Sequence, residues 1–277
     1  MSAMNGLSKK LLIVWLVLVV LVIGLVLCRT NIWKGNSDLK IGIVANDGLA
    51  LVNISPTRRM RNYWTIDQKI SLWIPGGLGW YESGKIKRIL MSEKKENLAK
   101  DIFIYNFGVI PDKVVWLTGK DSWRSDLVMF KNFGLLSYLK YKVKGESLIY
   151  KNEEITDLNW NFDEVAVRDF ASSNLINSDV RVGIINSSGQ NGLANFMSNI
   201  VERIGLTVIS VETDTEQNNT CVFKISNNLE RSVELSELKK IWHCEVQSNG
   251  SDGNTIDIVF GSKFSEVLKY SSYVRTQ

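Results

Sequence analysis

One stretch constrains this chain more than any other. Leu11 to Cys28 (LLIVWLVLVVLVIGLVLC) runs for eighteen residues without a charge. As a helix it spans about 27 Å, close to the roughly 30 Å hydrocarbon core of a bilayer. Gly24 alone interrupts it, and membrane helices tolerate glycine. The run reads as a single-pass transmembrane helix at 11–28 carrying a soluble body. Two rival readings stay open. A cleaved secretory signal needs small residues at its end, whereas this run closes on Leu25-Val26-Leu27-Cys28-Arg29. A lipoprotein signal prefers a small residue before its cysteine, and Leu27 is bulky. Lys9 and Lys10 precede the run with no acid beside them. A short tail before a first apolar run tends to stay inside. The expectation is a cell-membrane protein with residues 1–10 cytoplasmic and its body extracytoplasmic.

The body holds about 240 residues, enough for two domains of ordinary size. Basic and acidic residues nearly balance, 33 against 29, and the formal charge of +4 leaves no nucleic-acid signature. Arg58, Arg59 and Arg61 cluster in one segment after Pro56, read first as a solvated turn. Cys221 and Cys244 are the only thiols outside the apolar run. Cys221 opens an expected strand and Cys244 follows an expected helix, so the two can meet. On the oxidising side of a membrane they are expected to pair. The closed loop would contribute roughly 3 kcal/mol by the chain-entropy model. Two buried free thiols are the alternative. A zinc site needs about four ligands at recognisable spacing. With one histidine, His243, the chain offers none, and no metal is expected.

Along the body, 29–38 reads as a polar tether and 39–170 as a first domain. Lys40 to Ser55 is a hairpin about Asn46-Asp47-Gly48, strong turn chemistry between apolar runs. Asn62 to Trp73 is aromatic and β-branched, hence one or two strands. Ser92 reads as a helix cap, with Glu93 and Glu96 in the first turn and Gly108 and Pro111 at the end. Lys113 to Leu117 is a short strand. Ser122 to Lys142 reads as a helix interrupted at Gly134, Leu148 to Tyr150 as strand, and Phe162 to Phe170 as helix or strand. A linker is expected at 171–179, a second domain at 180–268 and a tail at 269–277.

The second domain is more regular. Val180 to Ile185 is a strand, followed by a turn at Asn186-Ser187-Ser188-Gly189. Leu193, Phe196, Met197, Ile200, Val201 and Ile204 then form the stripe of an amphipathic helix, with Gly205 past its end. Strands follow at Leu206 to Val211 and Cys221 to Ile225, a helix at Ser232 to Trp242, and a last strand at Ile256 to Phe260. The fold class is α+β, and the second domain reads β-α-β-β-α-(β)-β. Its loop Asn186, Ser187, Ser188, Gly189 and Gly192 has two readings. Backbone N–H groups at a helix start can cradle an anion or a glycan phosphate. The same glycines can simply make a tight strand-to-helix turn, the reading preferred here.

The stretch Val182-Gly183-Ile184-Ile185-Asn186-Ser187-Ser188-Gly189-Gln190-Asn191-Gly192-Leu193-Ala194, then Gly205-Leu206-Thr207-Val208, resembles the C-terminal domain of LytR-type cell-envelope proteins over about 180–268. Leu206 replaces that domain's usual aromatic. The hairpin and Tyr105-Asn106-Phe107-Gly108-Val109-Ile110-Pro111-Asp112 resemble the phosphotransferase domain of the LytR–CpsA–Psr family. That family moves glycan from a polyprenyl diphosphate carrier to the cell wall. The resemblance implies acids and arginines around the diphosphate, with Asp47 near the first acid. The family's Ser-Ile-Pro-Arg-Asp motif aligns with Thr65-Ile66-Asp67-Gln68-Lys69, so its Arg and Asp become Gln68 and Lys69. Diphosphate transfer depends on cationic clamps and metal-binding acids. The expectation is therefore a degenerate, non-catalytic domain in an envelope-associated binding or scaffold protein. Expected partners are wall glycan, a lipid-linked precursor or envelope proteins. The alternative is a surviving phosphoglycan transferase using Asp47, Asp67, Arg58 and Arg61, with Mg as its metal.

Overall fold

The computed structural model describes residues 38–56, 58, 60–117, 137–143, 145–150, 153–158, 162–248 and 253–265. No helix among them is long and apolar enough to cross a membrane. The apolar run at 11–28 lies outside the described residues. The described residues cluster as one compact unit of mixed α and β structure.

The first sheet takes the order β6-β1-β2-β3-β7. Its centre is a meander of β1 (Leu39–Ala45), β2 (Gly48–Ser55) and β3 (Met60–Ile66), each antiparallel to the next. The hairpin turns at Asn46-Asp47, as its turn chemistry requires. Two short strands, β4 (Ser71–Ile74) and β5 (Gly79–Glu82), pair beside the sheet. Helix α1 (Ile86–Ser92) follows, then α2 (Ala99–Phe107). Strand β6 (Lys113–Trp116) runs parallel to β1, and β7 (Ser137–Val143) parallel to β3. β8 (Gly145–Tyr150) and β9 (Glu153–Leu158) form a separate hairpin. Helix α3 spans Phe162–Phe170 and α4 spans Ser173–Ile176.

Two expectations are corrected here. Ser92 does not cap a helix. It ends α1, where its hydroxyl donates to the Ile89 carbonyl at 2.9 Å. Glu93 follows the end of α1, and Glu96 opens a 3-10 turn, Glu96–Leu98, that runs into the next helix at Ala99. Nor is 122–142 helical throughout. Ser137–Val143 is a strand, because Leu139, Tyr141 and Val143 alternate with Tyr138, Lys140 and Lys142, a period of two. The remainder of that stretch lies outside the described residues.

The second sheet takes the order β11-β10-β14-β12-β13. Strand β10 (Arg181–Asn186) leads into α5 (Leu193–Arg203), which returns to β11 (Thr207–Thr213), parallel to β10. Then come β12 (Val222–Ile225), α6 (Val233–Ile241), β13 (Glu245–Ser248) and β14 (Thr255–Phe260). This is the β-α-β-β-α-β-β order read from the sequence, with the bracketed strand present. Ser232 caps α6 by accepting the Leu235 N–H. Gly205, at φ 107°, makes the turn out of α5.

Helix α2 binds the two sheets together. Ile102, Phe103 and Phe107 enter a core with Leu51, Trp64 and Ile66 of the first sheet. Ile104, with Tyr105 against it, enters a core with α5 and the second sheet. Tyr105 stacks on Phe196 at 6.5 Å and meets Trp73 edge-on at 5.3 Å. The 171–179 segment carries α4, whose Leu175 is buried in that second core.

Candidate functional site

The acids and arginines singled out by the sequence do not converge. Asp47 sits exposed in the β1–β2 turn. Asp67 follows β3 at the same end of the sheet, since Ala50 pairs with Thr65. Its Oδ1 accepts the Lys69 N–H at 3.2 Å, and its carbonyl accepts the Ser83 hydroxyl at 2.7 Å. Gln68 lies across Gly48 and Gly84. Arg58 and Arg61 lie at the other end, where Ser55 pairs with Met60 and Ile54 with Arg61. The eight residues of β2 separate the two ends by roughly 26 Å.

Arg58 is also committed to the fold. Its guanidinium donates to the Arg168 carbonyl at 2.7 Å and the Ala171 carbonyl at 3.1 Å. It also faces Asp38 at 3.5 Å. Those carbonyls end α3, where the helix dipole is negative and unpaired C=O groups collect. A cation there is a helix clamp.

The same sheet end holds a polar row that the sequence reading missed. Lys40, Asn53 and Asn62 are in register across β1, β2 and β3. The Asn53 and Asn62 amides both donate to the Asp169 carbonyl, at 2.5 and 3.1 Å. The Asp169 carboxylate, buried at 1% exposure, accepts the Trp64 indole N–H at 2.9 Å and is paired with Arg168. Burial lowers the Lys40 pKa, and Glu237, Asp112 and Asp38 act against that shift. The available signal was Asn53 and Asn62 at core-facing positions of otherwise apolar strands. Without a pairing register nothing linked them to Asp169, more than a hundred residues away.

In the 186–192 loop most of the polar groups bond to one another. Asn186 Oδ1 accepts the Ser188 N–H at 3.0 Å and its hydroxyl at 2.6 Å. Asn186 Nδ2 donates to the Gln190 carbonyl at 2.7 Å, and Ser188 Oγ accepts the Gln190 N–H at 3.1 Å. The Ser187 N–H is spent on the Phe260 carbonyl. The Ser187 hydroxyl donates to Asp214 at 3.2 Å. Asp214 is held below its ordinary pKa by the Glu216 N–H, with help from that hydroxyl. A carboxylate therefore already stands beside the loop, which disfavours a second anion. Gly189 and Gly192 have φ of 74° and 87°, and a side chain at Gly189 would strike Gln217. The tight-turn reading fits this geometry.

Cys221 and Cys244 are bonded, with Cα atoms 4.6 Å apart. Among the described residues no three of His, Cys, Asp or Glu gather to hold a metal ion.

No family model matches the chain, and no curated protein matches it. Among solved structures it is similar to TagT of B. subtilis, at 9% identity and a TM-score of 0.36 over 48% of this chain and 89% of that one. A second TagT structure, described as a LytR-CPS2A-psr family protein with bound octaprenyl pyrophosphate lipid, gives the same values. A transcriptional regulator from Enterococcus faecalis matches at 8% identity and a TM-score of 0.34 over 62% of this chain and 89% of that one. These likenesses are partial, and nothing about this chain's chemistry follows from them.

Proposed function

We propose that this chain is a membrane-anchored, extracytoplasmic envelope protein that binds or scaffolds without catalysing transfer. The observation that carries this reading is Arg58. Arg58, one of the two candidate cations of the expected diphosphate clamp, is committed to the carbonyls at the end of α3, roughly a sheet length from Asp47 and Asp67. A diphosphate in transfer needs its cations and acids together. The apolar run at 11–28 supports the anchor, and the closed Cys221–Cys244 bridge supports an oxidising location.

Wall glycan or a lipid-linked precursor is the proposed ligand, and envelope proteins are further partners. Exposed amides at the end of the second sheet, on Asn191, Gln217, Asn218 and Asn219, suit the hydroxyls of a neutral glycan. The test is binding of the purified protein to wall glycan and to polyprenyl-diphosphate-linked glycan. Retention weakened by Asn191→Ala supports the reading. No retention of either, with a protein partner captured instead, removes its glycan part.

A second reading rests on Asp47 and Asp67 sharing one sheet end. It is magnesium-dependent phosphoglycan transfer from a polyprenyl diphosphate carrier. It requires turnover that Asp47→Ala abolishes, and turnover unchanged in that variant removes it.

A further inference from the structure

Strand β13 is held in an unusual way. All four of its residues are exposed, Val246 included, and none reaches a core; at its far end the Ser248 hydroxyl donates to Asn227. Among the described residues its one strand neighbour is β12, to which it runs parallel. Ordering four residues costs backbone entropy comparable to what the ladder's hydrogen bonds return, so the pairing alone is marginal. β12, in contrast, buries Val222, Phe223 and Ile225. The disulfide sits where the two strands begin. Cys221 precedes β12, Cys244 precedes β13, and the Glu245 N–H donates to the Cys221 carbonyl at 3.0 Å as the ladder opens.

The residues on either side do not depend on the bridge. Trp242 is 1% exposed and packs edge-on against Phe260 with ring centroids 5.0 Å apart. Thr255 begins β14, which lies between β10 and β12 inside the sheet. The strand that can be released is thereby β13 itself. Cys221 is buried, Cys244 is half-buried and His243 is exposed, so the side of the bridge nearer solvent is Cys244.

We infer that the Cys221–Cys244 disulfide is a redox-operated clasp on the edge of the second sheet. Closed, it lays β13 over the outer edge of β12. A dithiol reductant passes two electrons and two protons to the bridge. The S–S bond breaks, Cys221 and Cys244 become thiols, and the reductant closes its own disulfide. β13 then lifts away at His243. The N–H and C=O groups of β12 that faced it then exchange their ladder bonds for water. This inference does not depend on the glycan reading.

The test is hydrogen exchange at short labelling times on the intact protein, oxidised, reduced with dithiothreitol, and as the double variant Cys221→Ser/Cys244→Ser. The reduced protein and the variant are both expected to lose protection about tenfold or more across 245–248. Loss across 222–225 is expected to be partial, while α5 and β10 stay protected. Unchanged exchange at 245–248 overturns the clasp. So does equal loss in α5 and β10, which would make the bridge a support of the whole fold.

Discussion

Replacing Arg58 by methionine keeps the length of the side chain and removes its charge. The guanidinium gives up a hydrogen bond to the Arg168 carbonyl, at a solvent-exposed position where water substitutes. It gives up another to the Ala171 carbonyl, at a part-buried position where water substitutes poorly. Hydrogen bonds to charged groups contribute about 1.5–3 kcal/mol when fully formed, and exposure reduces this. Asp38, whose side chain is 8% exposed, also loses its facing cation at 3.5 Å. Together these changes predict a loss of about 3 kcal/mol. That corresponds to roughly 6–12 °C in Tm for a domain of this size. Urea unfolding followed by circular dichroism measures it. Adding Asp38→Asn removes the stranded charge and should restore about 1 kcal/mol, a coupling that a double-mutant cycle isolates. An Arg58→Met variant within 0.5 kcal/mol of the parent would refute the clamp and free this arginine for a ligand.

Three further outcomes follow from the same packing. Asp169→Leu removes the carboxylate that accepts the buried Trp64 indole N–H and should cost about 2 kcal/mol; urea midpoints of the variant and the parent check this. Gly108→Ala places a methyl 2.2 Å from Arg203 Cβ at a φ of 64°, and should lower stability by about 2 kcal/mol or more in the same assay. Asp257 has its pKa raised above 3.8 by burial, with Glu212 adding to the shift. Its folded form holds a proton more readily than the unfolded chain. The stability it contributes is present at low pH and lost as pH rises through the folded value. Asp257→Asn should therefore raise the urea midpoint at pH 7 and flatten its decline above pH 4.

The second sheet was legible because its signals are local. The stripe from Leu193 to Ile204, the glycine at 205 and the Ser232 cap each name an element within a few residues. The first sheet was legible at its hairpin, where Asn46-Asp47-Gly48 fixes a turn. It was not legible where pairing is remote. β7 joins β3 across more than seventy residues, and its alternation at 137–143 was hidden by the aromatic stretch before it. The candidate acids and arginines are parted for the same reason. They are near in sequence, yet a strand between them carries them to opposite ends. Asp169 gave no local signal, because its partners Asn53, Asn62 and Trp64 are gathered by register alone.

The central claim is that this body holds its ligand without transferring it. Full-length protein taken from membranes, incubated with labelled polyprenyl-diphosphate-linked glycan and magnesium, tests it directly. Retained glycan and released polyprenyl phosphate are read from one sample. The account predicts retention with no release above a protein-free control. Release that disappears in Asp47→Ala would contradict it.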